Sequence, residues 1–197
     1  MLAVLPDFTL RMNQYGAILI RYRAFYARRL AEEAAKIQQA VSGCGERLEI
    51  RYRTVSAVQD TEASEQQIFE WLSEHAKSHE KAELQSRQCL TGPHKDDLEI
   101  TVNGAAARGF ASQGQTRTAA LALKFAEREI LKDDCGEYPV MLLDDVLSEL
   151  DSRRQEYLIQ LPRGGPVIVT CCEREGRLRQ LKAASFLVEK GAIRPGN

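Results

Sequence analysis

An apolar run that ends in two adjacent carboxylates constrains the fold of this chain more than any other feature. Val140 to Leu143 are four consecutive apolar residues, and Asp144 and Asp145 follow directly. Such a run is typical of a central strand in a parallel sheet, where both faces are covered. Ligands of these sheets collect at the carboxyl ends of the strands. Because two neighbouring carboxylates repel each other, we expect a cation, such as the hydrated Mg²⁺ carried by a nucleotide, to compensate them.

A second stretch, upstream of the first, has the features of an anion-binding helix start. Ser112 suits the N-cap position, and Gly114 lets a ligand approach the backbone. The free amides of a first helical turn form an anion site. The helix is predicted from about Gln115 to Lys132, and its sequence, apolar on most sides, predicts that it is buried beneath that site.

The remaining element signals divide the chain into two segments. Residues 1–90 are predicted to form a mostly helical arm, with helices at 16–41 and 64–87 and a half-buried strand at 48–55. Asn103-Gly104 marks a tight turn. Residues 91–197 are predicted to contain a parallel α/β core, whose elements are strand 139–144, helix 151–161, strand 166–170, helix 174–183 and strand 184–189.

Composition places the chain among ordinary cytoplasmic globular proteins. Hydrophobic residues make up 44% of it, and the formal net charge is -1. No apolar run approaches the roughly 20 residues of a membrane span, and the N-terminus lacks a signal peptide's pattern, so no membrane association is expected. The five cysteines form no CxxC pair, which indicates neither a zinc ribbon nor a disulfide framework.

Three blocks of the sequence together resemble the ABC-type ATPases of the family formed by RecF and the SMC-like repair proteins. Gly92 to Leu98 is similar to the block before the signature motif, and Ser112 to Gln115 to the signature itself. Residues 140–151 are similar to the Walker B strand and D-loop. The resemblance covers residues 90–172 strongly. It implies an α/β fold, the C-terminal lobe of an ABC/SMC-type ATPase with a parallel sheet, preceded by a mostly helical arm.

The resemblance also implies roles for the acidic residues. Asp144 would hold Mg²⁺ through water, and Asp145 would polarise the water that attacks ATP. Asp151 would be the D-loop aspartate at a dimer interface. Many ABC proteins have a histidine after the next strand. Here Thr170 and Cys171 stand near that place, and the sequence leaves open which of them substitutes for it.

The signature residues would act on a nucleotide held by a second protomer. Ser112 and Gly114 would meet its γ-phosphate, within a motif that also includes Gln113 and Gln115. Arg117 would anchor the signature helix or contact phosphate. The implied partners are single-stranded or gapped DNA, the RecO and RecR proteins, and a second copy on ATP binding.

One element of such an ATPase is absent from these 197 residues. The phosphate-binding loop ends in Gly-Lys-Ser or Gly-Lys-Thr, and no glycine here is followed by lysine. The chain therefore resembles the C-terminal part of a RecF protein without its nucleotide-holding part. Alone, it is expected to hold ATP poorly.

Two alternatives come from other classes of function. Asp96, Asp97, Asp144 and Asp145 are a candidate two-metal phosphodiesterase site for nucleic acid. A nuclease, however, does not need the Ser112 motif at a helix start, which favours the ATPase. The remaining alternative is a fragment that only binds a partner or is inert.

Two further patterns have competing interpretations. His75 and His79 lie four residues apart, as metal ligands on a helix do, but their charged neighbours favour a solvated helix face. Between Arg21 and Arg29, basic and aromatic residues interleave, as in nucleic-acid binding. The spacing favours instead an amphipathic helix with solvated arginines, whose inward residues would be Ile18, Tyr22, Phe25 and Leu30.

Overall fold

The computed structural model describes residues 5–43, 45–146, 150–160, 164–171 and 183–196. These residues belong to two compact units, the first ending at Gly136 and the second beginning at Glu137. The units do not coincide with the predicted segments 1–90 and 91–197, because the helix that follows Ser112 packs against the first helix of the chain. Whether residue 90 separates an arm from an ATPase segment stays a prediction. No helix in the described ranges is long and apolar enough to cross a membrane.

The first unit is organised by a helix of 37 residues, α1 (Leu5–Val41). Where α1 comes closest to its neighbours, its core-facing residue is Gly16. If this residue carried a Cβ atom, that atom would lie 3.2 Å from Pro93 Cδ and 3.4 Å from Leu72 Cδ1. Ala17 and Ile20, both at most 1% exposed, extend this face. Glycine at residue 16 therefore allows α1 to lie against two other parts of the unit at once.

The opposite face of α1 corrects the predicted inward set. Ile18, Tyr22 and Phe25 are 42%, 66% and 48% exposed, and Leu30 is only half-buried. Apolar residues occur on both faces of this helix, so periodicity alone did not identify the face that packs. The arginines are not simply solvated either, since Arg21, Arg23, Arg28 and Arg29 each pair with a carboxylate.

Helix α2 (Glu65–Ser86) completes the core under α1. Ser64 caps it, its hydroxyl accepting a hydrogen bond from the Gln67 amide at 3.2 Å. Ile68, Leu72 and Ala76 are spaced four residues apart and are buried on one side. They face α1, and the cluster around Ile68 and Leu72 includes Ala17, Ile20, Val55 and Val58.

A three-stranded antiparallel sheet lies beside α1. Strand β1 (Leu48–Arg53) pairs with β2 (Asp97–Val102), which pairs with the short β3 (Ala105–Ala106). Asn103 and Gly104 join β2 to β3 with φ values of 53° and 79°. Two positive φ values are what a type I′ hairpin requires, and this confirms the predicted tight turn.

Two helical elements follow the sheet. The short α3 (Ala107–Phe110) leads to α4 (Gln113–Cys135), which ends at Gly136 with φ 82°. Ala119, Ala122, Phe125 and Ala126 are at most 3% exposed, so α4 is buried along one side, whereas its sequence, apolar on most sides, predicted a more fully buried helix. Asp134, near its end, accepts hydrogen bonds from Tyr26 at 2.6 Å and Arg29 at 2.8 Å, which tie α4 to α1.

The second unit contains the predicted parallel pair. Strand β4 (Met141–Asp144) pairs with β5 (Val167–Thr170), and α5 (Ser152–Gln160) lies between them in the chain. Met141 and Leu143 are buried, whereas Leu142 and Ile168 are 69% and 56% exposed. One face of this pair is thus open within the chain, although the apolar run had predicted that both are covered.

The last described strands form a hairpin. Strand β6 (Phe186–Glu189) pairs antiparallel with β7 (Ala192–Pro195) across Lys190 and Gly191, whose φ values are 50° and 78°. Sequence reasoning had assigned the strand at 184–189 to the parallel core and had missed β7. The predicted helix at 174–183 lies almost entirely outside the described residues, which resume at residue 183.

Candidate functional site

The paired carboxylates stand at the end of β4, as predicted. Asp144 is the last residue of the strand and Asp145 the first beyond it, and both are exposed. Met141 begins the strand, and its amide donates to the Pro166 carbonyl at 3.0 Å. Asp145 has φ 49°, in the left-handed region that non-glycine residues seldom adopt. The backbone therefore turns sharply between the two acids.

Thr170, at the end of β5, contacts both acidic residues. Its hydroxyl donates to Asp144 Oδ1. The same hydroxyl oxygen accepts from the Asp145 amide at 3.1 Å, and the Thr170 carbonyl accepts from that amide at 3.2 Å. Parallel pairing places Asp144 directly opposite Thr170, which explains the contact. Sequence reasoning had considered Thr170 only as a substitute for a histidine, because no local pattern shows which strands pair.

Asp151 lies at the start of α5 and serves as its cap. Its Oδ1 accepts from the Arg154 amide at 3.0 Å, and its Oδ2 lies 3.1 Å from Arg154 Nε. The side chain is 60% exposed. An aspartate at this position stabilises a helix N-terminus through hydrogen bonding and through the helix dipole.

The signature-like residues open α4 through a capping box. The Ser112 hydroxyl accepts from the Gln115 amide at 3.2 Å, and Gln115 Oε1 accepts from the Ser112 amide at 2.9 Å. One turn further, the buried Thr118 hydroxyl donates to the Gly114 carbonyl at 2.8 Å. Ser112 and Gln113 remain exposed. The structure thus presents a rigid, well-capped helix N-terminus, the kind of element that binds anions.

The block before the signature is held by contacts from α1 and β1. Arg23 donates to Asp96 Oδ2 at 2.9 Å, and the Tyr52 hydroxyl donates to the same oxygen. The Asp96 side chain is only 3% exposed. Burial, and then the hydrogen bond to Asp96, raises the pKa of Tyr52 above its usual value. Sequence reasoning missed Arg23 and Tyr52, which lie 73 and 44 residues from Asp96.

The glycine and the histidine of the block Gly92 to Leu98 also make contacts that stabilise its fold. Gly92 has φ 122°, and its carbonyl accepts from the Lys95 amide at 3.1 Å, which closes a turn. His94 Nε2 lies 3.0 Å from the Cys89 carbonyl. These contacts fold the block into a turn that lies against α1.

The described residues do not favour the metal-centred alternatives. Within them, no group of three or more His, Cys, Asp or Glu side chains is arranged to hold a metal ion. Asp96, one of the four acids of the nuclease hypothesis, is already committed to Arg23 and Tyr52. His79 Nδ1 lies 2.9 Å from the His75 carbonyl, and His75 Nδ1 lies 2.7 Å from Thr91 Oγ1. The two rings stack with centroids 4.0 Å apart.

Comparison with known proteins decides among these interpretations. The chain is 37% identical over 183 residues to the DNA replication and repair protein RecF of Clostridium tetani (strain Massachusetts / E88). It is 34% identical over 192 residues to the protein of the same description from Clostridium kluyveri. Over nearly its whole length, this chain is similar to part of RecF.

The RecF relatives are about twice as long as the matched region. The alignments cover 92% of this chain and 49% of the Clostridium tetani protein, and 96% and 51% for Clostridium kluyveri. The chain spans about half the length of the curated relatives it matches. No protein-family model matches the chain.

Solved RecF structures have the same fold. The chain matches the recombination mediator protein RecF-ATPrS in the RecFOR pathway with a TM-score of 0.81 and 34% identity. It matches RecF-ATP in the same pathway with a TM-score of 0.82 and 32% identity. These matches cover 98% and 99% of this chain, and 50% and 51% of the solved chains. The predicted ABC/SMC-type fold class, with a parallel sheet and a long N-terminal helix, is confirmed.

Proposed function

We propose that this chain supplies the signature-helix and Walker B part of a RecF-type ATPase that acts in DNA replication and recombinational repair. The observation that carries the proposal is the pair Asp144 and Asp145, exposed at the end of a parallel strand, in a chain similar to RecF-ATP. Carboxylates at this edge of a sheet are placed where phosphate ligands bind.

The two acids have separate roles in this proposal. Asp144 holds Mg²⁺ through water, and Asp145 orients and polarises the attacking water. The donor set fits the ion, since Mg²⁺ prefers carboxylate oxygens and keeps several waters, and both side chains are exposed enough for that shell. The ion, when bound, neutralises charge that develops on the phosphate oxygens. At Asp145, whose φ is 49°, the backbone departs from the strand conformation.

The signature residues act on the nucleotide of a second copy. Ser112, Gln113, Gly114 and Gln115 stand at a capped helix N-terminus, where amides and the helix dipole favour a phosphate. Asp151 lines the same dimer interface as the D-loop aspartate, and its side chain is exposed. ATP binding therefore brings two copies together, and slow hydrolysis releases them.

The loop that holds the nucleotide comes from polypeptide outside these 197 residues. None of the glycines in this chain is followed by lysine, so a Gly-Lys-Ser or Gly-Lys-Thr loop is not encoded in it. Its matched relatives are about twice as long. In this proposal the chain forms about half of the complete protein, and the rest of that protein covers Leu142 and Ile168, which are exposed here.

The partners follow from the same family. One solved relative is described as a recombination mediator of the RecFOR pathway. We propose single-stranded or gapped DNA and the RecO and RecR proteins as the partners of the complete protein. None of these interactions requires a membrane.

The test uses a chimera, named here the RecF chimera, in which this chain is joined to the part of the Clostridium tetani relative outside the matched residues. Hydrolysis of Mg-ATP is measured for this chain alone and for the RecF chimera. We expect turnover only in the chimera. Robust turnover by this chain alone would mean that the phosphate site is misassigned.

A substitution then tests the catalytic role. Asp145→Asn keeps the size of the side chain but removes its charge, so nucleotide binding should persist while turnover falls by about 100-fold or more. Asp133→Asn is the matched control, because Asp133 is an exposed acid on α4 with a side chain 61% accessible. Equal turnover in the two variants would remove Asp145 from catalysis.

A further inference from the structure

The hydroxyl of Thr170 has a fixed direction of hydrogen bonding. The Asp145 amide can only donate, so the Thr170 oxygen accepts from it at 3.1 Å. The hydroxyl proton is then available for Asp144 Oδ1, which accepts the hydrogen bond. One side chain on β5 therefore connects the carboxylate of one acid with the backbone of the next.

We propose that Thr170 is a positioning residue of the Asp144–Asp145 site, setting the orientation of the first carboxylate and the backbone turn that aims the second. This inference rests on the proposed ATPase function of the same site.

The turn at Asp145 depends on acceptors that Thr170 provides. With φ 49°, Asp145 adopts a conformation that side-chain-bearing residues seldom take without a compensating contact. Its amide has two such acceptors, the hydroxyl and the carbonyl of Thr170, at 3.1 and 3.2 Å. Removing the hydroxyl leaves one acceptor and weakens the restraint on the direction of the Asp145 side chain.

The carboxylate of Asp144 is restrained in the same way. Oδ1 is committed to Thr170, which fixes the rotation of the carboxylate. When a side chain that ligates a metal loses the hydrogen-bond partner that orients it, metal affinity or activity typically falls by about 10- to 100-fold. Thr170 therefore influences Mg²⁺ without touching it.

The first test measures the contact in this chain without nucleotide. Amide hydrogen exchange is followed by NMR in the wild type, in Thr170→Val, which keeps the shape, and in Thr170→Ser, which keeps the hydroxyl. We expect the Asp145 amide to exchange roughly threefold to tenfold faster in Thr170→Val and at the wild-type rate in Thr170→Ser. The Met141 amide, bonded to Pro166 at the other end of the strand pair, is the internal control and stays protected. An unchanged Asp145 amide in Thr170→Val would overturn the proposal.

The second test adds Mn²⁺ as a paramagnetic probe of the same three proteins. Line broadening at Asp144 and Asp145 should occur at lower Mn²⁺ concentration in the wild type and Thr170→Ser than in Thr170→Val. Equal broadening in all three would contradict a positioning role. A loss of Met141 protection in Thr170→Val would assign Thr170 to strand pairing alone and would also overturn it.

The third test separates this inference from the proposed function. In the RecF chimera, Thr170→Val should lower kcat by about 10-fold or more and raise the Mg²⁺ concentration needed for half-maximal rate, while the KM for ATP changes little. Thr170→Ser should restore the rate. A chimera that never hydrolyses ATP would refute the ATPase function, and the two NMR tests would still decide the role of Thr170.

Discussion

Arg23 on α1 donates a hydrogen bond to Asp96 at 2.9 Å and so connects the long helix to the turn before β2. The Tyr52 hydroxyl binds the same carboxylate oxygen from β1. Three separate parts of the first unit thus meet at one buried carboxylate. Helix α4 begins within twenty residues of this carboxylate along the chain.

Loss of the Asp96 carboxylate should destabilise the first unit. Asp96→Ala leaves Arg23 and Tyr52 without their shared acceptor, and we expect the free energy of unfolding to fall by about 2 to 4 kcal/mol. Urea unfolding followed by circular dichroism measures the change. Asp97→Ala is the matched control, since Asp97 is exposed and should shift the free energy by about 0.5 kcal/mol or less. Similar losses in both variants would contradict the anchoring role of Asp96.

Removing the capping box of α4 should weaken the helix start. Ser112→Ala deletes the side-chain acceptor of the Gln115 amide, and such a loss typically costs about 1 kcal/mol. Ser86→Ala, in the last turn of α2, is the control and should have a smaller effect, because its hydroxyl makes only long contacts, with the Glu83 carbonyl and the Gln88 amide, both at 3.4 Å. Thermal unfolding compares the two. The capping interpretation fails if Ser86→Ala is equally destabilised.

The same position tests the proposed dimer. In the RecF chimera, Ser112→Arg places a bulky cation at the helix N-terminus and should block ATP-dependent dimerisation, while the monomer stays folded. Light scattering with and without Mg-ATP measures the association. Ser86→Arg, an equal change on an exposed residue of α2, should leave the dimer intact. A dimer that survives Ser112→Arg would exclude the signature helix from the interface.

Acidification should weaken the contact between α2 and the segment that follows it. Burial, and then the neighbouring His79, lowers the pKa of His75, while Glu83 opposes the shift. Because the pKa of this histidine is lower in the folded protein than in the unfolded chain, the unfolded chain binds more protons at acidic pH. The free energy of unfolding therefore decreases as the pH falls below about 6.5, the ordinary pKa of histidine. The urea concentration at the midpoint of unfolding is measured at roughly pH 7.5 and pH 5.5. The decrease between the two pH values should be smaller in His75→Asn than in the wild type. A fall in His75→Asn identical to that of the wild type would contradict the prediction.

Local signals in the sequence predicted the elements that carry the site. The apolar run before Asp144 predicted β4, the pair Asn103-Gly104 predicted a tight turn, and Ser112 predicted a helix N-cap. Each of these features is decided within a few residues, by burial of a short run, by positive φ, or by one side-chain acceptor. Sequence patterns are sufficient for such features.

Contacts between distant residues could not be predicted in that way. Arg23 lies 73 residues from Asp96, and Thr170 lies 26 residues from Asp144. Each pair depends on which helices pack and which strands align. Helix α1 shows the same limit, because Ile18 and Ile20 are equally apolar and only packing with α2 and α4 decides which one is buried. Strand β7 gave no signal, since its four residues are exposed and do not alternate.

The pleat of β4 has a consequence for the assembly of a complete protein. Residues two apart on a strand point to the same face, so Asp144 shares the open face of the sheet with Leu142. Any element that covers Leu142 also borders the carboxylate. Covering the open face of the strand pair and enclosing the Asp144 carboxylate are therefore one event, and the solvent exposure of this acid depends on whether that face is covered.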